Sequence, residues 1–291
     1  MLDLRRWREW RSWIPAECPV CDRRVTGQGL CGACLADLLP VAGGGRCPVC
    51  AHPLRALGCP DCLERATAFD RVVAAFDYRG AGERLVRDFK LAGRLALAGM
   101  LADRLADAVR HSASDGWPVD WVAPVPARRD SLRQRGFSPP AEIARLLSRR
   151  LRLPYRLDLL CRTHEGPKQS TLGRAERLLA PRGAYACERV RGATIDLSGK
   201  HVVVVDDVLT TGSTLQEIAS VLKAAGAARV SGWVLARTVT VVPGVGGSAP
   251  PPLSYAGSAG PAAGWRSGST MGRPGAGRDP PEETHVPYRS G

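Results

Sequence analysis

The segment HVVVVDDVLTTGSTLQEI, residues 201–218, constrains this chain more than any other. Four consecutive valines without polar alternation fit a central parallel strand buried on both faces. Such a strand needs neighbours and crossover helices, which means a layered α/β fold. Two acids, Asp206 and Asp207, end the run. After a small polar loop comes an amphipathic helix with Leu215, Ile218, Leu222 and Ala225 on one face and Gly226 as its stop. In open parallel sheets, ligands bind at the carboxyl ends of the strands, where the acids stand. Thr210, Thr211, Gly212, Ser213 and Thr214 offer hydroxyls and backbone amides leading into a helix N-terminus, a ready anion seat. Gly212 lets backbone approach a ligand. Acceptors for sugar hydroxyls thus lie beside donors for a phosphate, a combination that matches a ribose 5-phosphate. No Lys follows the glycine, so this is not the GxxxxGK[ST] loop of ATPases. Taken alone, the acid pair also fits another kind of Mg²⁺ site.

Other segments supply the rest of the sheet. DRVVAAFDY (70–78), VDWVAPVPA (119–127) and VSGWVLAR (230–237) read as strands. Residues 83–110 carry helical periodicity broken at Gly93, and residues 140–151 place Ile143, Leu146, Leu147 and Leu151 on one helical face.

Eight of the ten cysteines fall within residues 18–62 as four CxxC pairs. CPVC followed by CGACL, then CPVC followed by CPDCL, is an internal repeat, and each unit supplies the four thiolates of a closed tetrahedral zinc shell. Cys18, Cys21, Cys31 and Cys34 are expected at one Zn²⁺, and Cys47, Cys50, Cys59 and Cys62 at a second. A cross-braced pairing stays open. Metal is favoured over disulfides because neighbouring CxxC pairs in a cytoplasmic protein stay reduced. Such modules bind nucleic acid, bind protein, or hold together a small domain that lacks a core. The α/β part has a core of its own, so its fold is expected to survive loss of zinc.

At 44% hydrophobic and 24% charged residues, the composition excludes a wholly disordered chain. No apolar run reaches the ~18 residues of a membrane span, and the start lacks the apolar stretch of a signal peptide, so stable membrane insertion is not expected and the location is read as cytoplasmic. The net charge is +13, and residues 119–180 alone hold twelve Arg and one Lys against six acids. That concentration points to an anionic partner, although charge of this kind also serves as solvated surface. Trp7, Trp10 and Trp13 recur every three residues and suggest an amphipathic helix over 1–17. The expected organisation is that helix, a double zinc ribbon over 18–66, an α/β domain over 67–242 and a tail over 243–291. In the tail, 26 of 49 positions are Pro, Gly or Ser, too few apolar groups to offset ordering entropy, so disorder is expected there.

The 202–218 segment resembles the motif by which type I phosphoribosyltransferases bind 5-phosphoribosyl 1-pyrophosphate (PRPP). PVP at 124–126, RQRGF at 133–137, the run RTHEGPKQSTLGRAER at 162–177, FDYRG with the downstream Phe89-Lys90, and the cysteine-rich start narrow the resemblance to the ComF family of competence-associated proteins, over roughly residues 14–238. It implies a type I phosphoribosyltransferase-like parallel sheet flanked by helices and preceded by a small zinc-ribbon module. It implies that Asp206 and Asp207 hold the ribose hydroxyls, that 210–214 takes the 5-phosphate, and that Pro126, Ala127, Arg128 and Arg129 face pyrophosphate. Lys90 becomes a phosphate ligand, and Arg162, Gln169 and Arg177 belong to a loop that closes over PRPP. Mg²⁺ would bridge pyrophosphate and ribose oxygens. The implied activity is transfer of phosphoribose to an unspecified nucleophile. The alternative is a binding protein of DNA uptake that engages single-stranded DNA or competence proteins. The chain departs from the family after Phe137, where Ser138-Pro139 replaces the usual Asn-Gln.

Overall fold

The valine run forms one of two inner strands in a four-stranded parallel sheet. The computed structural model of the chain describes residues 15–27, 29–38, 45–54, 58–59, 61–62, 66–112, 118–163, 183–187, 189–190 and 193–239. In chain order the described elements are β1 (Pro15–Glu17), β2 (Arg24–Thr26), α1 (Gly32–Leu38), β3 (Arg71–Asp77), α2 (Gly80–Lys90), α3 (Leu97–Ser112), β4 (Trp121–Pro124), α4 (Arg129–Arg135), α5 (Pro139–Leu151), β5 (Leu160–Arg162), β6 (Tyr185–Cys187), β7 (Arg189–Val190), β8 (Ala193–Thr194), β9 (His201–Leu209), α6 (Ser213–Ala224) and β10 (Arg229–Arg237). The sheet order is β3-β10-β9-β4, with every pairing parallel. The α/β expectation is met. Among the described residues no helix is long and apolar enough to cross a membrane.

Side chains alternate across a strand, so β9 serves two cores. Val203 and Val205 face one layer, with Phe76, Leu85 and Phe89 from β3 and α2, Leu101 and Leu105 from α3, and Ile143 and Leu147 from α5. Val202 and Val204 face the other, with Leu215, Ile218 and Leu222 from α6 and with Leu160 and Tyr185 from β5 and β6. Helices are punctuated as the sequence indicates. Gly93, at φ 67°, lies between α2 and α3, and Gly226, at φ 99°, follows α6. The Ser138-Pro139 departure has a local use: the Ser138 hydroxyl accepts from the Ala141 amide at 3.4 Å and Pro139 opens α5, a favourable helix start.

The cysteine module is not separate from these cores. Cys18, Val20, Cys31, Cys34 and Leu38 are buried in the layer of α2, α3 and α5, while Cys47, Cys50 and Cys59 are buried in the layer of α6. The Asp37 carboxylate of α1 accepts the Ala81 amide of α2 at 2.7 Å, and a Cβ at Gly80 would collide with that carboxylate. This corrects the expectation of an α/β core independent of the zinc module. The spacing points to metal ligands, but it cannot show that the same side chains complete the core. A second correction concerns the N-terminal element. Pro15–Glu17 is a strand paired antiparallel with Arg24–Thr26, so a helix does not extend through residue 17. The tryptophans at 7, 10 and 13 and the 243–291 tail lie outside the described residues.

Candidate functional site

All four strands end on one edge, and the acid pair stands there. Asp207 shares the parity of Val203 and Val205, so it points toward α2, where its Oδ2 meets Lys90 Nζ at 2.7 Å. Asp206 has the opposite parity and points toward α6 and β6. A cleft of about 390 Å³ opens beside the pair, lined by both acids, Lys90, Tyr78, Tyr185 and Val125 and by the start of α6. Burial pushes the Asp206 carboxyl up to about 7; the neighbouring Asp207 charge adds to this, and Lys90 only partly offsets it. Burial disfavours the Lys90 ammonium, but the charge and hydrogen bond of Asp207 together with the charge of Asp206 outweigh it and raise Lys90, so Lys90 stays cationic. The Asp206 side chain also accepts the Asp207 amide at 2.8 Å.

Across the cleft, Gly212 caps α6 at φ 77° and ψ 5°, without a side-chain cap bond. The Ser213 amide donates to Thr211 Oγ1 at 3.4 Å, and the first turn of this twelve-residue helix directs its dipole and remaining amides toward the cleft. Thr211 Oγ1 and Ser213 Oγ lie 3.2 Å apart beside it, and Thr214 continues the wall. Gly212 is also required by its own backbone conformation. An added Cβ would meet only Phe69 and Leu209, at 3.7–3.9 Å, whereas its left-handed φ is disfavoured for any side chain.

Val125 donates its amide to Val205 at 2.9 Å, so Pro126, Ala127, Arg128 and Arg129 leave the sheet directly at the cleft edge. Arg162 lies 5.0 Å over the Tyr185 ring and donates to its hydroxyl at 2.9 Å. Gln169 and Arg177 lie outside the described residues. Sequence reasoning missed Tyr78, Tyr185 and Glu217. The Glu217 carboxylate on α6 accepts the amides of Gly183 and Ala184 at 2.8 and 2.5 Å and so seats Tyr185 on the cleft. No spacing rule links these residues, because the tie spans more than thirty positions.

Comparison with known proteins gives this geometry a family. Residues 138–242 match the phosphoribosyl transferase domain model. The DNA utilization protein YhgH of Escherichia coli K12 is 30% identical over 235 residues, covering 74% of this chain and 100% of that protein. The chain belongs to the ComF-like family of phosphoribosyltransferase fold. Competence protein F of Haemophilus influenzae is a further relative of this ComF-like chain, 26% identical over 220 residues, 73% of this chain and 92% of its own. A solved structure of the allosteric regulatory enzyme of purine biosynthesis aligns over 47% of this chain and 25% of its own, at 25% identity and a TM-score of 0.30, too low to bear on the fold.

The ComF-like chain brings its cysteines together as two sequential sets, not cross-braced. Cys18, Cys21, Cys31 and Cys34 hold their sulfurs within 4.8 Å of one another, as do Cys47, Cys50, Cys59 and Cys62. Cys21–Cys31 are 3.5 Å apart, Cys50–Cys59 3.4 Å and Cys47–Cys62 3.8 Å. A disulfide needs about 2.05 Å, whereas Zn–S bonds of about 2.3 Å in a tetrahedron set sulfurs about 3.8 Å apart. Ionisation is uneven: the Cys34 amide pulls Cys31 down to about 7, while burial and the neighbouring sulfurs push Cys34 up. Four crowded thiols resist joint ionisation, and a divalent cation at their centre removes the conflict. The donor set therefore fits structural zinc. Metal analysis of the purified chain should give two zinc ions. Cys47→Ser with Cys50→Ser should leave one; two in that variant would contradict the assignment.

Proposed function

We propose that the cleft seats PRPP with Mg²⁺ and that the chain transfers phosphoribose to a nucleophile. The observation that carries this reading is the juxtaposition of an acid pair with a glycine-led helix N-terminus across about 390 Å³. Asp206 and Asp207 accept the ribose hydroxyls, and the amides of 210–214 take the 5-phosphate. Lys90 and the loop of Pro126, Ala127, Arg128 and Arg129 face the pyrophosphate. Arg162, seated on Tyr185, begins the closing loop that carries Gln169 and Arg177. When bound, Mg²⁺ neutralises charge on the pyrophosphate. In the transfer, a lone pair on the nucleophile forms a bond to the anomeric carbon. The bond to the pyrophosphate oxygen breaks and both its electrons leave with pyrophosphate. The proton of the nucleophile passes to solvent. Stabilisation is electrostatic, from the cations around the departing group. Release of pyrophosphate from Mg²⁺–PRPP in the presence of a panel of bases and amines tests the transfer. An acceptor-dependent rate supports it, and release no faster than without protein contradicts it.

A second reading rests on the relatives, named for DNA utilization and competence, and on α4. That helix buries none of its residues, and the Arg133 side chain is 82% exposed. We infer that α4 contributes to binding single-stranded DNA. Affinity should fall steeply with salt, and Arg133→Ala with Arg135→Ala should reduce the slope of log K against log salt by about 1.4, at ~0.7 for each phosphate no longer neutralised. An unchanged slope would remove α4 from the interface. A cytoplasmic location suits a chain whose eight paired thiols stay reduced.

A further inference from the structure

Arg237, the last residue of β10, is 2% exposed. A buried guanidinium is retained only where partners satisfy it, and here the partners belong to two separate parts of the molecule. On one side Nε donates to the Cys50 carbonyl at 3.0 Å, and Nη2 pairs with the carboxylate of Asp61, which lies between Cys59 and Cys62. On the other, Nη1 donates to the carbonyls of Leu209 at 3.1 Å, Thr210 at 2.6 Å and Thr238 at 2.7 Å. One side chain thus joins the second cysteine cluster to the loop that leaves β9 at the acid pair. The two parts also share a wall: a void of about 20 Å³ is lined by Cys50, Asp61 and Cys62 together with Leu209, Thr211 and Gly212. A parallel strap runs through Arg46, which donates to the Ala51 carbonyl at 2.9 Å and to Asp77 at 2.8 Å, one residue before Tyr78 of the cleft. Within the loop the Thr211 hydroxyl bonds Ser213, at 3.4 Å to its amide and 3.2 Å to its hydroxyl, and Arg237 adds the tie that reaches outside the loop.

We propose that Arg237 is a positioning residue that ties loop 209–214 to the second cysteine cluster, so that zinc in that cluster tightens phosphate binding on the loop. The inference rests on the reading of this loop as the 5-phosphate seat. The geometry explains why both ends matter. Zinc fixes the 47–62 turns and with them the Cys50 carbonyl and the Asp61 carboxylate. These hold the guanidinium plane, and the plane aims its Nη1 at the loop carbonyls. A lysine keeps the charge but cannot span the same five acceptors with one rigid fork. Linkage also requires the effect to run in reverse, because coupling between two binding sites is reciprocal.

The test uses the full chain, with zinc counted in every sample. Hydrogen exchange is followed on amides 209–214 without ligand, and PRPP–Mg²⁺ and ribose 5-phosphate affinities are measured by calorimetry. Arg237→Gln, and separately Cys47→Ser with Cys50→Ser, should speed exchange in 209–214 and weaken both ligands by about tenfold, within the usual range of coupling. Arg237→Lys should recover less than half of the loss on a logarithmic scale. PRPP–Mg²⁺ should raise the zinc affinity of the second cluster by the same factor in chelator competition. Asp61→Asn keeps every cysteine and provides a milder cut of the tie should the cysteine variant fail to fold. A merely structural role for Arg237 predicts lower thermal stability with unchanged loop exchange and unchanged affinity in the folded fraction, and that result overturns the inference. If wild-type protein binds neither ligand, the PRPP reading fails with it. If wild-type binds and the variants bind equally well, only the present inference fails.

Discussion

Removing zinc from both cysteine clusters is expected to lower the midpoint of the main unfolding transition by on the order of 10 °C, and not merely to loosen residues 18–62. Structural zinc in small modules contributes an apparent ~10–16 kcal/mol. Were the module free-standing, that energy would stay local. Here Cys18, Cys31 and Cys34 are buried among the side chains of α2, α3 and α5, and Cys47, Cys50 and Cys59 among those of α6. Loss of zinc is therefore expected to loosen both faces of the sheet and the hydrogen bond by which the Asp37 carboxylate holds the start of α2. If only about a sixth of the energy of the two metals reaches the sheet, the loss is ~3–5 kcal/mol, and a body of this size shifts ~2–4 °C per kcal/mol. Calorimetry with and without a zinc-selective chelator measures it. A main transition that keeps its midpoint while zinc is gone would show that the two cores stand without the clusters.

Asp206→Asn is expected to make the ligand-free protein more stable at pH 8 while weakening PRPP binding tenfold or more. The Asp206 carboxyl sits at about 7 in the folded chain because burial and Asp207 oppose its ionisation, against about 3.9 when unfolded. Between these values the native state binds the extra proton, so stability falls as pH rises from about 4 to about 7 and then levels off. Asn carries no such penalty, and its oxygen can still accept the Asp207 amide. The gain above pH 7 should be about 2–4 kcal/mol, fading toward pH 4. Binding moves the other way, because a carboxylate that accepts ribose hydroxyls contributes about 1.5–3 kcal/mol through charge-assisted bonds. Wild-type affinity should also rise with pH through about 7, beyond the ligand's own titration, and Asp206→Asn should remove that excess. Unfolding curves at pH 5 and pH 8 decide the stability part. Equal destabilisation at both would mean the carboxylate is not strained in the native state.

The features legible in sequence share one property: each is local. The four valines, the acid pair and the 210–214 loop occupy one continuous segment, and period and residue type suffice to place them at a strand end before a helix. The CxxC pairs are equally local, and their grouping follows the internal repeat. What escaped is non-local. Lys90 finds Asp207 across the fold at 2.7 Å, and only family resemblance brought it forward. Tyr185 reaches the cleft because a three-residue strand pairs antiparallel with Leu160–Arg162, too short a pattern to read. Arg237 reads as the polar end of VSGWVLAR, yet it is buried against carbonyls from residues 50, 209 and 210. The independence assigned to the α/β core failed for the same reason: ligand spacing says nothing about which neighbours a cysteine packs against.

The chemistry of the sheet edge turns on whether its cleft seats a phosphoribosyl pyrophosphate. Isothermal titration of the wild-type chain with PRPP in the presence of Mg²⁺, repeated with Asp206→Asn and Asp207→Asn, measures this directly. The expected result is one Mg²⁺-dependent site in the wild type, weakened about tenfold or more in each variant, with ribose 5-phosphate bound more weakly at the same place. No heat from wild-type protein at millimolar PRPP with Mg²⁺, or equal binding by wild type and both variants, would contradict it.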